Sequence, residues 1–163
     1  MSIARVGVVA AIPYLFGCLG AVTGGWLCDL LTRRGWAPMT GRKVLMSTSL
    51  CGISACTLGV AFAESNTIAL TLISVSLFLI YIASSTAWAT VPIAAPGQFT
   101  ASLGSIQNFG GYLGGALAPT VTGFIVQETG RFSQALLLSA FLTLLAAVAY
   151  LLLVRRPILA NGA

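Results

Sequence analysis

The chain has 163 residues, 58% of them apolar and 7% charged, with eight Lys and Arg against three Asp and Glu. A soluble domain carries about 25% charged residues. So few charges cannot cover a water-exposed surface of this size, which excludes a soluble enzyme, a disordered tail and a nucleic-acid module. The sequence contains no histidine, the commonest metal ligand and neutral-pH base. Cys18, Cys28, Cys51 and Cys56 lie inside apolar runs and read as small core residues. No metal, cofactor or disulfide framework is expected.

Charges and turn residues cut the chain into five apolar runs, at about 6–31, 44–63, 67–92, 99–127 and 133–154, each long enough as a helix to cross a ~30 Å hydrocarbon core. They lack the period-2 alternation of a membrane barrel. The expected fold is all-α and transmembrane, with five spans. Within the first run, Leu15-Phe16-Gly17-Cys18 loosely resembles a lipoprotein cleavage box. The run continues to Leu31, however, beyond the ~7–15 apolar residues of a signal peptide, so no cleavage is expected.

The end of the first run carries the most specific local signal. Gly25 is followed by Asp29 four residues on and by Arg33 four residues later, with Arg34 next. Gly25 would let a neighbouring helix approach closely. Asp29 sits one turn before Arg33, so the two can pair. A carboxylate at the membrane edge is costly without a partner, which makes the cluster a functional candidate. The following loop adds Arg42 and Lys43, at the mildly unfavourable positive end of the second helix. The basic residues Arg33, Arg34, Arg42, Lys43, Arg155 and Arg156 fall on one side of the five spans, and Arg5 and Arg131 on the other with Glu64 and Glu128. The positive-inside rule then places the N-terminus outside and the C-terminus in the cytoplasm.

On the third span, Ser74, Tyr81, Ser85 and Trp88 fall within about 60° at 100° per residue, opposite Leu72, Leu79 and Ala83. On the fourth, Gly104, Asn108, Gly111, Gly115 and Pro119 form a second narrow stripe, with Gln107 turned about 100° away from Asn108. Ser85 and Asn108 lie at similar depths and can face one cavity. An amide and a hydroxyl exchange hydrogen bonds with the polar groups of a ligand, and an indole offers a flat face and one N–H. Asn108, Ser85, Trp88 and Tyr81 are therefore the candidate substrate contacts. Gly111 and Gly115 are expected to serve helix packing, and Pro13, Pro92 and Pro119 to bend their helices.

The Gly25, Leu27, Asp29, Arg33, Arg34 spacing resembles the loop signature of the major facilitator superfamily, G-x-L-x-D-[RK]-x-G-R-[RK], from which Leu30 and Thr32 depart. In that family the Asp and Arg form an ion-pair latch that closes the cytoplasmic side during alternating access. The resemblance implies that the five spans are helices eight to twelve of a twelve-helix transporter. Residues 1–157 would be part of its C-terminal six-helix half and 158–163 a short cytoplasmic tail. Met1-Ser2-Ile3 reads like the junction after helix seven. The stretches Ala11 to Gly17 and Gly104 to Gly115 are similar to the anion:cation symporter family, whose bacterial members carry galactonate, glucarate and hexuronates with protons. Residues at the positions of Ser85, Trp88 and Asn108 contact the sugar acid there, and Ala87 stands where some members carry threonine.

The implied partners are a small organic anion, a proton, the bilayer of a bacterial inner membrane and the N-terminal half of the transporter. No Asp, Glu or Arg lies mid-span in this chain, so the proton-coupling acid and the carboxylate-binding arginine would belong to that other half. The alternative reading is a small helical membrane protein acting by self-association or partner binding, without transport, its glycine stripes serving as contacts.

Overall fold

The computed structural model describes residues 3–95 and 97–154, leaving aside the side chains of 3–6 and 8. Met1, Arg155, Arg156, the tail 158–163 and the side chain of Arg5 lie outside the described residues. Five helices follow one another: α1 Ile3–Arg33, α2 Pro38–Ala61, α3 Asn66–Ala94, α4 Thr100–Thr129 and α5 Phe132–Leu153, with a single 3-10 turn Gly97–Phe99 ahead of α4. All five are long and apolar enough to cross a membrane, as expected.

Local chemistry explains the boundaries. Pro38 opens α2 at its first turn, where the missing N–H has no partner to lose. α2 thus begins before the apolar run does, and Arg42 and Lys43 are helical. Ser65 caps α3 by accepting a hydrogen bond from the Thr67 N–H at 3.3 Å. α4 ends at Gly130, whose φ of 66° closes the helix in the left-handed region that glycine adopts without strain. Pro13, Pro92 and Pro119 sit inside α1, α3 and α4 without interrupting them.

Short connections make neighbouring helices antiparallel, so the α1–α2 and α3–α4 loops share one end of the bundle. Arg33, Arg34, Arg42 and Lys43 cluster at that end, and Glu64, Glu128 and Arg131 at the other. α3 is central, packing on α1 and α2, while α5 packs on α2. A side chain at Gly20 would overlap the Phe78 carbonyl, and a Cβ at Gly24 would stand 2.9 Å from the Ile82 Cα. The α1–α3 seam therefore requires helices in backbone contact. The fully buried Thr86 gives its hydroxyl to the Ile82 carbonyl at 2.8 Å and receives the Cys28 thiol at 3.7 Å. Between α2 and α5, Ser54 Oγ donates to the Ala140 carbonyl at 2.8 Å.

Two expectations need correction here. Cys28 is core, but Cys18 and Cys51 are exposed and Cys56 only half-buried, so an apolar run does not by itself bury each of its small residues. Gly25 admits no neighbour either, since nothing lies within 4 Å of its Cβ position. Gly24, one residue earlier, makes the close approach. Most important for the site, α4 is held loosely: Gly104 is its only buried residue.

Candidate functional site

The α3–α4 junction is a groove, not a seam. The two helices meet where Gly104 leaves room for the Trp88 ring and for Val91, whose nearest atoms would stand 3.5 and 3.7 Å from a Cβ there. On either side of this contact the groove opens into a cleft. One, of about 310 Å³, is lined by Ser84, Ala87, Trp88, Gln107, Asn108 and Tyr112 among others. The second, of about 330 Å³ and nearer the loops, is lined by Trp88, Val91, Pro92, Ala101, Gly104 and Asn108 among others. Each falls in the ~300–1,000 Å³ range of small-molecule sites. Trp88 and Asn108 border both clefts, so two of the four sequence candidates do come together.

Their environment suits a polar ligand of modest size. Trp88 is half-exposed, presenting an indole face on which an apolar sugar face can lie. The Asn108 side chain is exposed and has no hydrogen-bond partner among the described residues. Its amide can thus donate and accept at the same point. Gly111 lines the first cleft, but neither it nor Gly115 has anything within 4 Å of its Cβ position, so neither makes the helix packing expected of it among the described residues, and Pro119 lines neither cleft.

Ser85 and Tyr81 are placed differently from the expectation of one shared cavity. Ser85 Oγ donates to the Ala21 carbonyl of α1 at 3.0 Å, and the Tyr81 ring lies over Gly17 of α1. Ser74, on the same stripe, bonds its own helix at the Leu70 carbonyl, 2.8 Å away. The polar stripe of α3 thus faces the α1 seam, and only Trp88, at its edge, reaches α4. The opposite face meets α2, with Leu72 and Leu79 against Gly59 and Gly52. Conversely, Gln107, set aside in the sequence reading, lines the first cleft beside Asn108, with Ser84 across on α3. The overlooked signal was the i, i+4, i+7 series Ser84, Trp88, Val91, which marks the face of α3 toward α4.

At the loop end, Asp29, Thr32, Arg33, Pro38, Arg42 and Ile93 line an open cleft of about 430 Å³. The expected Asp29–Arg33 pair does not form: there is no ion pair among the described residues, and both side chains are exposed. An exposed i, i+4 pair gains only ~0.3–0.5 kcal/mol, too little to lock two exposed charges together. Arg42 donates from Nη1 to the Pro38 carbonyl at 3.0 Å, while its Nε is buried without a partner. Arg34 stands outside the cleft, exposed in the loop.

No protein-family model matches the chain, but curated proteins do. It is 38% identical over 158 residues to a probable L-galactonate transporter of Escherichia coli K12, covering 97% of this chain and 35% of that protein. It is 32% identical over 168 residues to a hexuronate transporter of Bacillus subtilis, covering 100% of this chain and 39% of the relative. A probable galactarate/D-glucarate transporter of Escherichia coli K12 is 30% identical over 154 residues, 94% of this chain and 34% of its own length. The chain thus spans 34–39% of the length of these relatives.

Proposed function

The chain is a homologue of bacterial sugar-acid transporters over about a third of their length, and on that premise we propose that it is the C-terminal part of a proton-coupled sugar-acid carrier of the major facilitator superfamily. The observation that carries this reading is the Trp88–Asn108 groove, bordered by a helix whose face is otherwise left bare. In such carriers the site lies between two bundles that rock about it. This chain supplies the indole face and neutral amides for the sugar hydroxyls. A cation for the carboxylate and an acid for the proton come from the other half, since none of the groove's lining residues is charged. Ser85 and Tyr81 act one layer back, fixing α3 against α1 so that Trp88 keeps its place.

In the full-length transporter, Asn108→Ala is expected to weaken sugar-acid binding by about tenfold or more, the ~1–3 kcal/mol of a lost amide hydrogen bond. Calorimetric titration of L-galactonate into the nanodisc-embedded protein measures it. Equal binding by variant and wild type would leave the groove as helix packing alone.

The end carrying Arg33, Arg34, Arg42 and Lys43 is the cytoplasmic one, in a bacterial inner membrane, with the N-terminus of this chain outside and its C-terminus inside. Asp29 and Arg33 face the other half there and take partners from it when the cytoplasmic side closes, with Gly25 leaving the approach open and Arg34 at the rim. Cysteines introduced at 35–41 should resist impermeant thiol reagents added outside intact cells and react in inverted vesicles. Asp29→Asn should raise that reactivity, by weakening closure on the order of 1–2 kcal/mol. Labelling from outside would overturn the orientation, and unchanged reactivity the latch.

The bare face of α4 also favours a second reading, a self-associating membrane protein. Its open glycines Gly110, Gly111, Gly114 and Gly115 would serve as contacts between copies.

A further inference from the structure

Hydroxyls along the spans are commonly bonded to the chain itself. Thr23, Thr48, Thr57, Thr71 and Thr90 each donate to the carbonyl four residues earlier, and Ser54 and Ser85 reach carbonyls of neighbouring helices. Gln107 and Ser84 do neither. Both are exposed, line the first cleft and have no hydrogen-bond partner among the described residues. A primary amide brings two donors and an acceptor, and Gln107 sits about 10 Å along α4 from its first residue, within the apolar span Gly97–Thr129. Such a group inside an apolar span calls for a polar occupant.

The chemistry of the cleft narrows that occupant. Gln107, Asn108, Ser84 and Tyr112 give it neutral donors and acceptors, and no charged side chain lines it. Hydroxyl groups are satisfied by such a wall. A carboxylate is not, because desolvating an anion without a cation is far costlier than desolvating an alcohol. We propose that Gln107, with Ser84 on α3, holds the uncharged, hydroxylated end of the substrate and so selects sugar acids with one carboxylate over those with a carboxylate at each end. This rests on the groove being a sugar-acid site, and it makes Gln107 a specificity-determining residue.

The experiment compares binding of L-galactonate, with one carboxylate, and galactarate, with two, to the full-length transporter in nanodiscs. Wild type should prefer L-galactonate. Gln107→Arg places a cation in the cleft and should shift the affinity ratio toward galactarate by about tenfold or more. Gln107→Glu should shift it the other way, which keeps the test open if the arginine variant fails to fold. A merely structural glutamine would weaken both ligands alike. An unchanged ratio in both variants, with both ligands still binding, overturns the assignment of Gln107 and leaves the transporter reading intact. Failure of the wild type to bind either sugar acid overturns the reading of the groove itself.

Discussion

Gly20→Ala is expected to cost the folded bundle at or above the ~3 kcal/mol upper end of ordinary overpacking penalties. The new methyl group would overlap the backbone carbonyl of Phe78, and a carbonyl inside a helix cannot turn away. Relief must come from separating α1 and α3. Separation also strains the 3.0 Å bond from Ser85 to the Ala21 carbonyl and loosens the packing of Ile82 on Gly24. Gly59→Ala is the matched comparison. Its Cβ would meet Leu72 Cδ1 at 2.9 Å, the far end of a flexible side chain that can rotate aside, so the loss should be smaller. Thermal unfolding of the two detergent-solubilised full-length variants reads the difference. Equal midpoints would mean that the α1–α3 seam is wider than described.

How far the sequence could be read follows from the same seam. The five helices were legible because spanning length and apolar content are properties of each segment alone. Kinship with sugar-acid carriers was legible too, and the similarities to galactonate, hexuronate and glucarate transporters bear it out. The site was legible only in part. Helical periodicity tells which residues share a face, not which neighbour that face meets. α3 has three neighbours, so its stripe of Ser74, Tyr81 and Ser85 could turn to α1 while the less conspicuous Ser84 turned to α4. The spacing of Asp29 and Arg33 likewise permits a pair without requiring one, because water competes for both charges at an exposed helix end. Gly25 and Gly24 differ by 100° around α1, and nothing local distinguishes the one that α3 approaches.

The 163-residue chain alone is expected to enter a bilayer and not to transport. Insertion depends on apolar length, and all five helices satisfy it. Transport depends on a second surface. The most apolar window of the fourth span has 0% of its residues buried, against 28% for each of the first two. Gln107 and Asn108 lie on that bare helix, so in the isolated chain their amides would meet lipid or another copy. Unsatisfied polar groups in hydrocarbon are unfavourable, and helices left with small residues and polar side chains on an open face associate. The isolated chain should therefore flotate with membranes, yet migrate as large aggregates once solubilised. Uptake of labelled L-galactonate into proteoliposomes under an imposed proton gradient separates the two functional readings. No uptake, with uptake by the full-length transporter, fits a site shared between two rocking halves. Saturable, gradient-dependent uptake by the 163-residue chain would sink that arrangement, because the groove would then have been completed by a second copy through the glycine face of α4.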